Sequence, residues 1–139
     1  MVDGTSEAFA TVLAPLSEED KAKGFVDAPF GVVGLETAFA ALLSFVHDGT
    51  LSALRAVELM SDGPARVLGR RGRLGALFSE GASAELFLID PQSSLTVTKE
   101  SLLGKSKNSA FLGHSFHGKV VGTFFRGELR FSDALRWSG

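Results

Sequence analysis

The reading of this chain turns on Ala28-Pro29-Phe30-Gly31-Val32-Val33-Gly34-Leu35-Glu36-Thr37 and on the apolar stretch that carries it to Val46-His47. Pro29, Gly31 and Gly34 stand too close together for a regular element, so the start of this stretch is a turn. From Gly34 the pattern changes. Leu35, Ala38, Phe39, Leu42, Leu43 and Val46 recur at spacings of three and four, which predicts a helix over Gly34–His47 with one apolar face. Gly49 stands where a glycine ends a helix.

Upstream, the apolar run Ala8–Leu13 closes at Ala14-Pro15 and reads as a buried strand. The polar stretch Ser17–Lys23 admits two readings. It is a helical turn capped by Ser17 with acids at its N-terminus, or an acidic-then-basic loop. The loop is preferred, because Gly24 and the Ala28–Gly31 turn break anything longer. Downstream, a second helix is expected over Ser52–Met60, with Ser52 as cap and Leu54, Val57 and Leu59 inward. Pro64 opens a short third helix that Gly69 ends. Beyond Gly69 the pattern becomes strand-like. Glu85–Ile89, Leu95–Val97, Lys119–Phe125 and Glu128–Phe131 are rich in β-branched and aromatic residues. Arg126-Gly127 suits a tight turn between the last two. The composition shift near Gly69–Gly75 marks the expected boundary between two layers.

With 139 residues, the chain suits one compact domain. A net charge of −2 argues against a nucleic-acid surface, since the basic residues are dispersed apart from Arg66, Arg70, Arg71 and Arg73. The absence of cysteine excludes disulfides and thiolate metal sites. The N-terminus lacks the pattern of a signal peptide, and no apolar stretch is long enough to span a bilayer. The expectation is a cytoplasmic, soluble protein with neither membrane nor nucleic acid as partner.

No catalytic constellation is evident. The histidines are His47, His114 and His117. His114 and His117 fall in a loop and strand start, where a spacing of three does not converge on a metal. His47 suits the end of a helix. There is no Gly-x-Ser-x-Gly elbow. The glycines between Gly69 and Gly75 lack the Lys-Ser/Thr of a phosphate loop. Glu18, Glu19 and Asp20 are contiguous, so their side chains diverge. From residues alone, the chain is a soluble α/β protein.

Four segments go further. Residues 28–37 resemble the A-P-x-G-(I/V)-x-G-L-E-T segment of dihydroorotases. Gly63-Pro64-Ala65-Arg66-Val67-Leu68-Gly69 is similar to their N-P-A-(R/K)-(I/L)-x-G, with Gly63 in place of Asn. Gly81–Leu86 resembles the G-x-x-A-D-L of the wider amidohydrolase superfamily, with Glu85 for Asp. Lys105–Gly113, preceded by Gly104, is similar to S-K-x-x-N-(S/T)-P-F-x-G. The order and spacing of the four identify the chain as resembling the C-terminal portion of a dihydroorotase.

The resemblance implies an α/β fold: the last strand and helices of a (β/α)8 metallo-dependent hydrolase barrel over residues 1–68, then part of a composite β-sandwich over 69–139. It implies membership of the zinc-dependent cyclic amide hydrolases of pyrimidine biosynthesis, which interconvert N-carbamoyl-aspartate and dihydroorotate. The departures matter as much. The family's T-D-H-A-P is Thr11-Val12-Leu13-Ala14-Pro15 here. Val12 therefore stands for the metal-binding Asp that also serves as general base, Leu13 for the adjacent His, and Leu16 for the substrate-binding His. Valine neither binds a metal nor takes a proton. The chain is accordingly expected to hold no zinc, to have no catalytic residue, and to be inactive alone. Pro29 and Gly31 are what the family's substrate-binding elements would leave. Three roles stay open: a truncated pseudoenzyme, a module supporting aspartate carbamoyltransferase assembly, or one part of a split enzyme. Self-association is expected because a lone barrel strand exposes two edges.

Overall fold

The computed structural model describes residues 4–11, 13–70 and 80–133. Four helices, α1 (Glu18–Lys21), α2 (Ala38–His47), α3 (Ala53–Met60) and α4 (Asp62–Val67), precede three strands, β1 (Leu86–Thr96), β2 (Ser115–Phe125) and β3 (Glu128–Ser132). The strands form one antiparallel sheet in the order β1-β2-β3.

The sheet follows from its turn chemistry. Arg126 and Gly127 have φ of 53° and 80°, the double left-handed geometry whose twist matches that of flanking strands. Phe125 therefore pairs directly with Glu128. The runs expected separately at Glu85–Ile89 and Leu95–Val97 belong to one strand, β1, interrupted between Asp90 and Ser94. Pro91 lies in that interruption, on an edge strand, where its missing N–H costs no ladder bond. The Asp90 carboxylate accepts from the Gln92 and Ser93 amides there.

α2 joins the helices to the sheet. Gly118 sits mid-β2 with φ +94°, and a Cβ there would lie 2.4 Å from Leu43 Cδ1 of α2. Only a glycine allows this approach. Phe39 of the same helix meets Phe87 of β1 edge-on, with ring centroids 5.1 Å apart. On its other side α2 contributes Leu42 to a core with Leu51, Ala56 and Leu59, flanked by Phe9, Val46 and Met60.

Several expectations are corrected. The run Ala8–Leu13 forms no regular strand among its described residues. The Phe9 amide donates to Leu59 O at the end of α3 (2.7 Å), Ala14 donates to Val32 O (3.0 Å), and Leu13 makes an isolated bridge with Val33. Without partner strands alongside, its backbone groups turn to a helix-end carbonyl and to the 32–33 turn. Ser17–Lys21 is the helical turn rather than the loop. Ser17 Oγ accepts from the Asp20 amide (3.0 Å), and three acids in the first turn complement the dipole. α2 starts four residues late, because Gly34–Thr37 forms a turn in which Thr37 Oγ1 bonds Gly34 O (3.2 Å). Leu35 is consequently outside the helix and exposed. In α3, capped by Ser52 as expected, Ala56 and Leu59 face the core while Leu54 and Val57 are exposed. At 3.6 residues per turn, Leu54 lies about 200° from Ala56.

The replacement at Gly63 has a local reason. A Cβ there would lie 1.8 Å from Glu7 O, so residues 6–9 pass against the α3–α4 corner only because the position is glycine. Arg55 Nη2 donates to Ser6 O (2.6 Å) and Arg55 Nη1 to Glu58 (2.7 Å), with Arg66 on the other Glu58 oxygen (3.2 Å). α4 begins at Asp62, two residues before the expected Pro64, and Gly69 follows it with φ +63°. Arg71, Gly72, Arg73 and Gly75 lie outside the described residues.

Two outcomes are expected. Gly113→Ala (φ +83°, no neighbouring atom within 4 Å of the added carbon) costs about 1–2 kcal/mol of left-handed strain. Gly118→Ala adds overpacking against Leu43 of about 1–3 kcal/mol; urea denaturation should show the larger loss at 118. The second concerns acid. Hydrogen bonds from Arg55, then from Arg66, hold the Glu58 carboxyl below its ordinary value of 4.5. A lowered folded-state value gives stability that is present above pH 4.5 and lost as pH falls through the folded value. Glu58→Gln should therefore destabilise at neutral pH, and its midpoint should converge with wild type in acid.

Candidate functional site

Three segments quoted for the resemblance meet at one place. Residues 13–16, the 28–37 turn and the 102–108 loop surround a cavity of about 320 Å³. Asn108 is the central pin. Its Nδ2 donates to Gly31 O (2.7 Å) and its carbonyl accepts from the Val33 amide (2.8 Å). Glu36 is the second pin, with its two carboxylate oxygens accepting from the Leu103 and Gly104 amides (2.7 and 3.0 Å). Ser106 Oγ donates to Leu16 O (2.8 Å), and Lys107 Nζ to Leu102 O. Gly31 has φ +140°, and a Cβ there would lie 2.7 Å from that of Ala14. A larger residue would push the turn off residues 14–16.

An ion pair outside the cavity lining ties α1 to the segment after β1. Lys99 donates to Glu18 of α1. That hydrogen bond, with the charge of its partner, lowers the Glu18 carboxyl below its ordinary range and raises the Lys99 ammonium above its own. Both ends are exposed, so the pair orients α1 more than it stabilises it.

The cavity wall is apolar. Leu13, Pro15, Val33, Leu35 and Leu102 supply most of it, with Glu36, Lys105 and Ser106 at the polar side. Glu36 and Ser106 are engaged as described, and Lys105 is exposed. Leu13, which stands where the family has a His, is 56% exposed beside the cavity, and Leu16, standing for the second His, is half-buried against Gly31. Val12 lies outside the described residues. The backbone of Pro29 and Gly31 is committed internally: Lys21 Nζ donates to Pro29 O (3.0 Å) and Asn108 to Gly31 O.

The residues around this cavity do not fit the zinc that the resemblance implies. A hydrolytic zinc needs converging imidazole and carboxylate donors, and here the lining is mostly apolar and its one carboxylate, Glu36, is engaged by two amides. Among the described residues there is no group of three or more His, Asp or Glu side chains able to hold a metal. His114 packs against Phe111 and Phe116 (5.9 and 6.4 Å between centroids), whereas His117 meets His47 (5.9 Å). The two are held in separate ring contacts.

The comparisons fit this geometry. No family model matches the chain. A dihydroorotase from Endomicrobium trichonymphae is 39% identical over 130 residues, which cover 93% of this chain and 30% of that protein. The chain belongs to the dihydroorotase family. It corresponds to the C-terminal portion and spans about 30% of the length of the curated relatives it matches. A D-hydantoinase (dihydropyrimidinase) from Thermus sp. superposes with a TM-score of 0.84 at 24% identity, over 95% of this chain and 30% of that one. The inactive dihydroorotase-like domain of a Chaetomium thermophilum CAD-like multifunctional protein superposes with a TM-score of 0.56 at 20% identity, over 81% and 28%. These likenesses establish the fold: a partial α/β unit of the (β/α)8 amidohydrolases, with a three-stranded sheet.

The part that sequence reasoning left without a role is the pairing of Glu36 with Leu103-Gly104 and of Asn108 with Gly31. The signal was present, since both residues stand inside the quoted motifs. Glu36→Ala removes a charged acceptor from two exposed amides and should cost about 0.5–1.5 kcal/mol, with faster hydrogen exchange at Leu103 and Gly104. Glu36→Gln, which keeps one acceptor oxygen, should lose less.

Proposed function

We propose that this portion of a dihydroorotase-family protein is non-catalytic. The carrying observation is the chemistry at positions 12, 13 and 16, where Val12, Leu13 and Leu16 replace the Asp and two His that the resemblance implies. The cavity supports the reading, because its wall is mostly apolar and its one carboxylate, Glu36, is engaged by the Leu103 and Gly104 amides. The family reaction, ring closure of N-carbamoyl-aspartate to dihydroorotate, needs a proton acceptor at the reacting centre. A valine at the Asp position removes it whatever supplies the other ligands. The internally committed backbone at Pro29 and Gly31 leaves little for a substrate to bind. On this reading the chain is a portion of a pseudoenzyme, with residues 1–68 from the barrel and 69–139 from the sandwich. It works in the cytoplasm without bound zinc. No described helix is long and apolar enough to cross a membrane.

The exposed apolar side chains of residues 13–35 favour a second reading, an interaction module. A partner such as aspartate carbamoyltransferase would be retained by the purified chain in sedimentation. For the first reading, dihydroorotate hydrolysis by the purified chain in zinc-supplemented buffer should stay at the uncatalysed rate. Val12→Asp combined with Leu13→His should not restore it. Turnover by the wild-type chain overturns the proposal.

A further inference from the structure

His47 ends α2 and His117 stands in β2, and neither lines the cavity. Their rings meet edge to face, with 5.9 Å between centroids and 66° between planes. The contact is fixed from beneath. Leu43 lies one turn before His47 on the same side of α2, and it presses onto Gly118, the residue after His117. The seating that joins helix to sheet therefore also sets the two imidazoles side by side. Both residues are exposed, and among the described residues neither ring makes a hydrogen bond.

We propose that His47 and His117 form a two-imidazole site for a divalent transition metal ion, copper(II) before nickel(II), and that the bound ion clamps α2 to β2. Imidazole nitrogen suits these ions, and affinity rises toward copper along the divalent series. With metal–nitrogen bonds of about 2 Å, each ring centre stands about 3 Å from a shared ion, so rings with centroids 5.9 Å apart straddle one. Neither nitrogen has to leave a hydrogen bond to reach it. The last turn of a ten-residue helix adds to the attraction, because its unpaired carbonyls carry partial negative charge. No third His, Asp or Glu joins the pair among the described residues, so water completes the coordination. Two nitrogens with water suit the tetragonal preference of copper(II) and nickel(II), and fall short of the three or four protein donors of a zinc site. His114, three positions from His117, is turned instead into contacts with Phe111 and Phe116.

The untagged full chain, stripped of metal with a chelator, would be titrated with copper(II) chloride. Electron paramagnetic resonance reads the ligands of the ion, and urea denaturation reads the clamp. The bound ion should show the hyperfine pattern of two imidazole nitrogens, and the urea midpoint should rise with copper concentration. His47→Gln and His117→Gln should each weaken binding at least about tenfold, because an intramolecular second donor is lost. Each should also abolish the copper-dependent rise in midpoint. Both positions are exposed, so two independent single variants carry the test, and their copper-free midpoints report any loss of folding separately. His114→Gln should bind copper as the wild-type chain does. Copper bound equally by either single variant overturns the proposal, as does a loss of binding in His114→Gln alone. A copper-bridged dimer in sedimentation, with the imidazoles drawn from two chains, overturns it too. Binding through both histidines with no rise in midpoint overturns the clamp.

Discussion

The seating of α2 on the sheet is the contact on which the molecule depends. Leu43 presses onto β2 where Gly118 has no side chain, with 2.4 Å between its Cδ1 and the place a Cβ would occupy. Because α2 also supplies Leu42 to the cluster around Leu59 and Ala56, this helix connects the sheet to α3. A chain with three strands and short helices buries little, and only Leu42, Leu59 and Val97 stand out as fully buried large side chains among the described residues. Burial of each leucine contributes about 1.5–3 kcal/mol against the entropy of ordering the chain. The hydrogen-bonded pins at Glu36 and Asn108 therefore hold loops that apolar burial alone would leave loose.

Periodicity read the long elements and failed where tertiary context decides. The Arg126-Gly127 hairpin and the caps at Ser52 and Gly49 were legible because each is set by two or three neighbouring residues. The strand at Ala8–Leu13 was not. A period of apolar residues says that a segment wants burial, and says nothing about whether a partner strand stands beside it. The inward face of α3 was misassigned for a related reason. Leu54, Val57 and Leu59 look equivalent in sequence, but an eight-residue helix meets the core along one narrow stripe, and the small Ala56 lies on it. Pro91 hid a continuous β1 as two runs.

The candidate site was legible in a different sense. The quoted motifs contain Gly31, Glu36, Asn108 and Ser106, and the structure shows what they do: bind one another. Gly31 is required by contact with Ala14, and Asn108 donates to Gly31. These are fold-forming interactions, which explains how the family pattern persists in this segment. Pairings between residues 77 apart leave no local signature, so no spacing argument could have assigned them.

The pattern of retention and loss is itself informative about energy. Removing the Asn108 side chain would strand the half-buried Gly31 carbonyl, at about 1–3 kcal/mol; the Leu103 and Gly104 amides that Glu36 accepts from are exposed and would turn to water. Exchanging an exposed His for Leu13 has no such penalty within the chain, because no described group relied on that side chain. Its effect is on the surface instead, where a polar, hydrated position becomes one that gains from being covered. At about 25 cal/mol per Å², that gain is realised only when another apolar surface meets it. Leu13 and Leu35 line the same cavity as Val33 and Leu102 and extend its apolar surface outward, so a leucine at position 13 makes this face more favourable to bury.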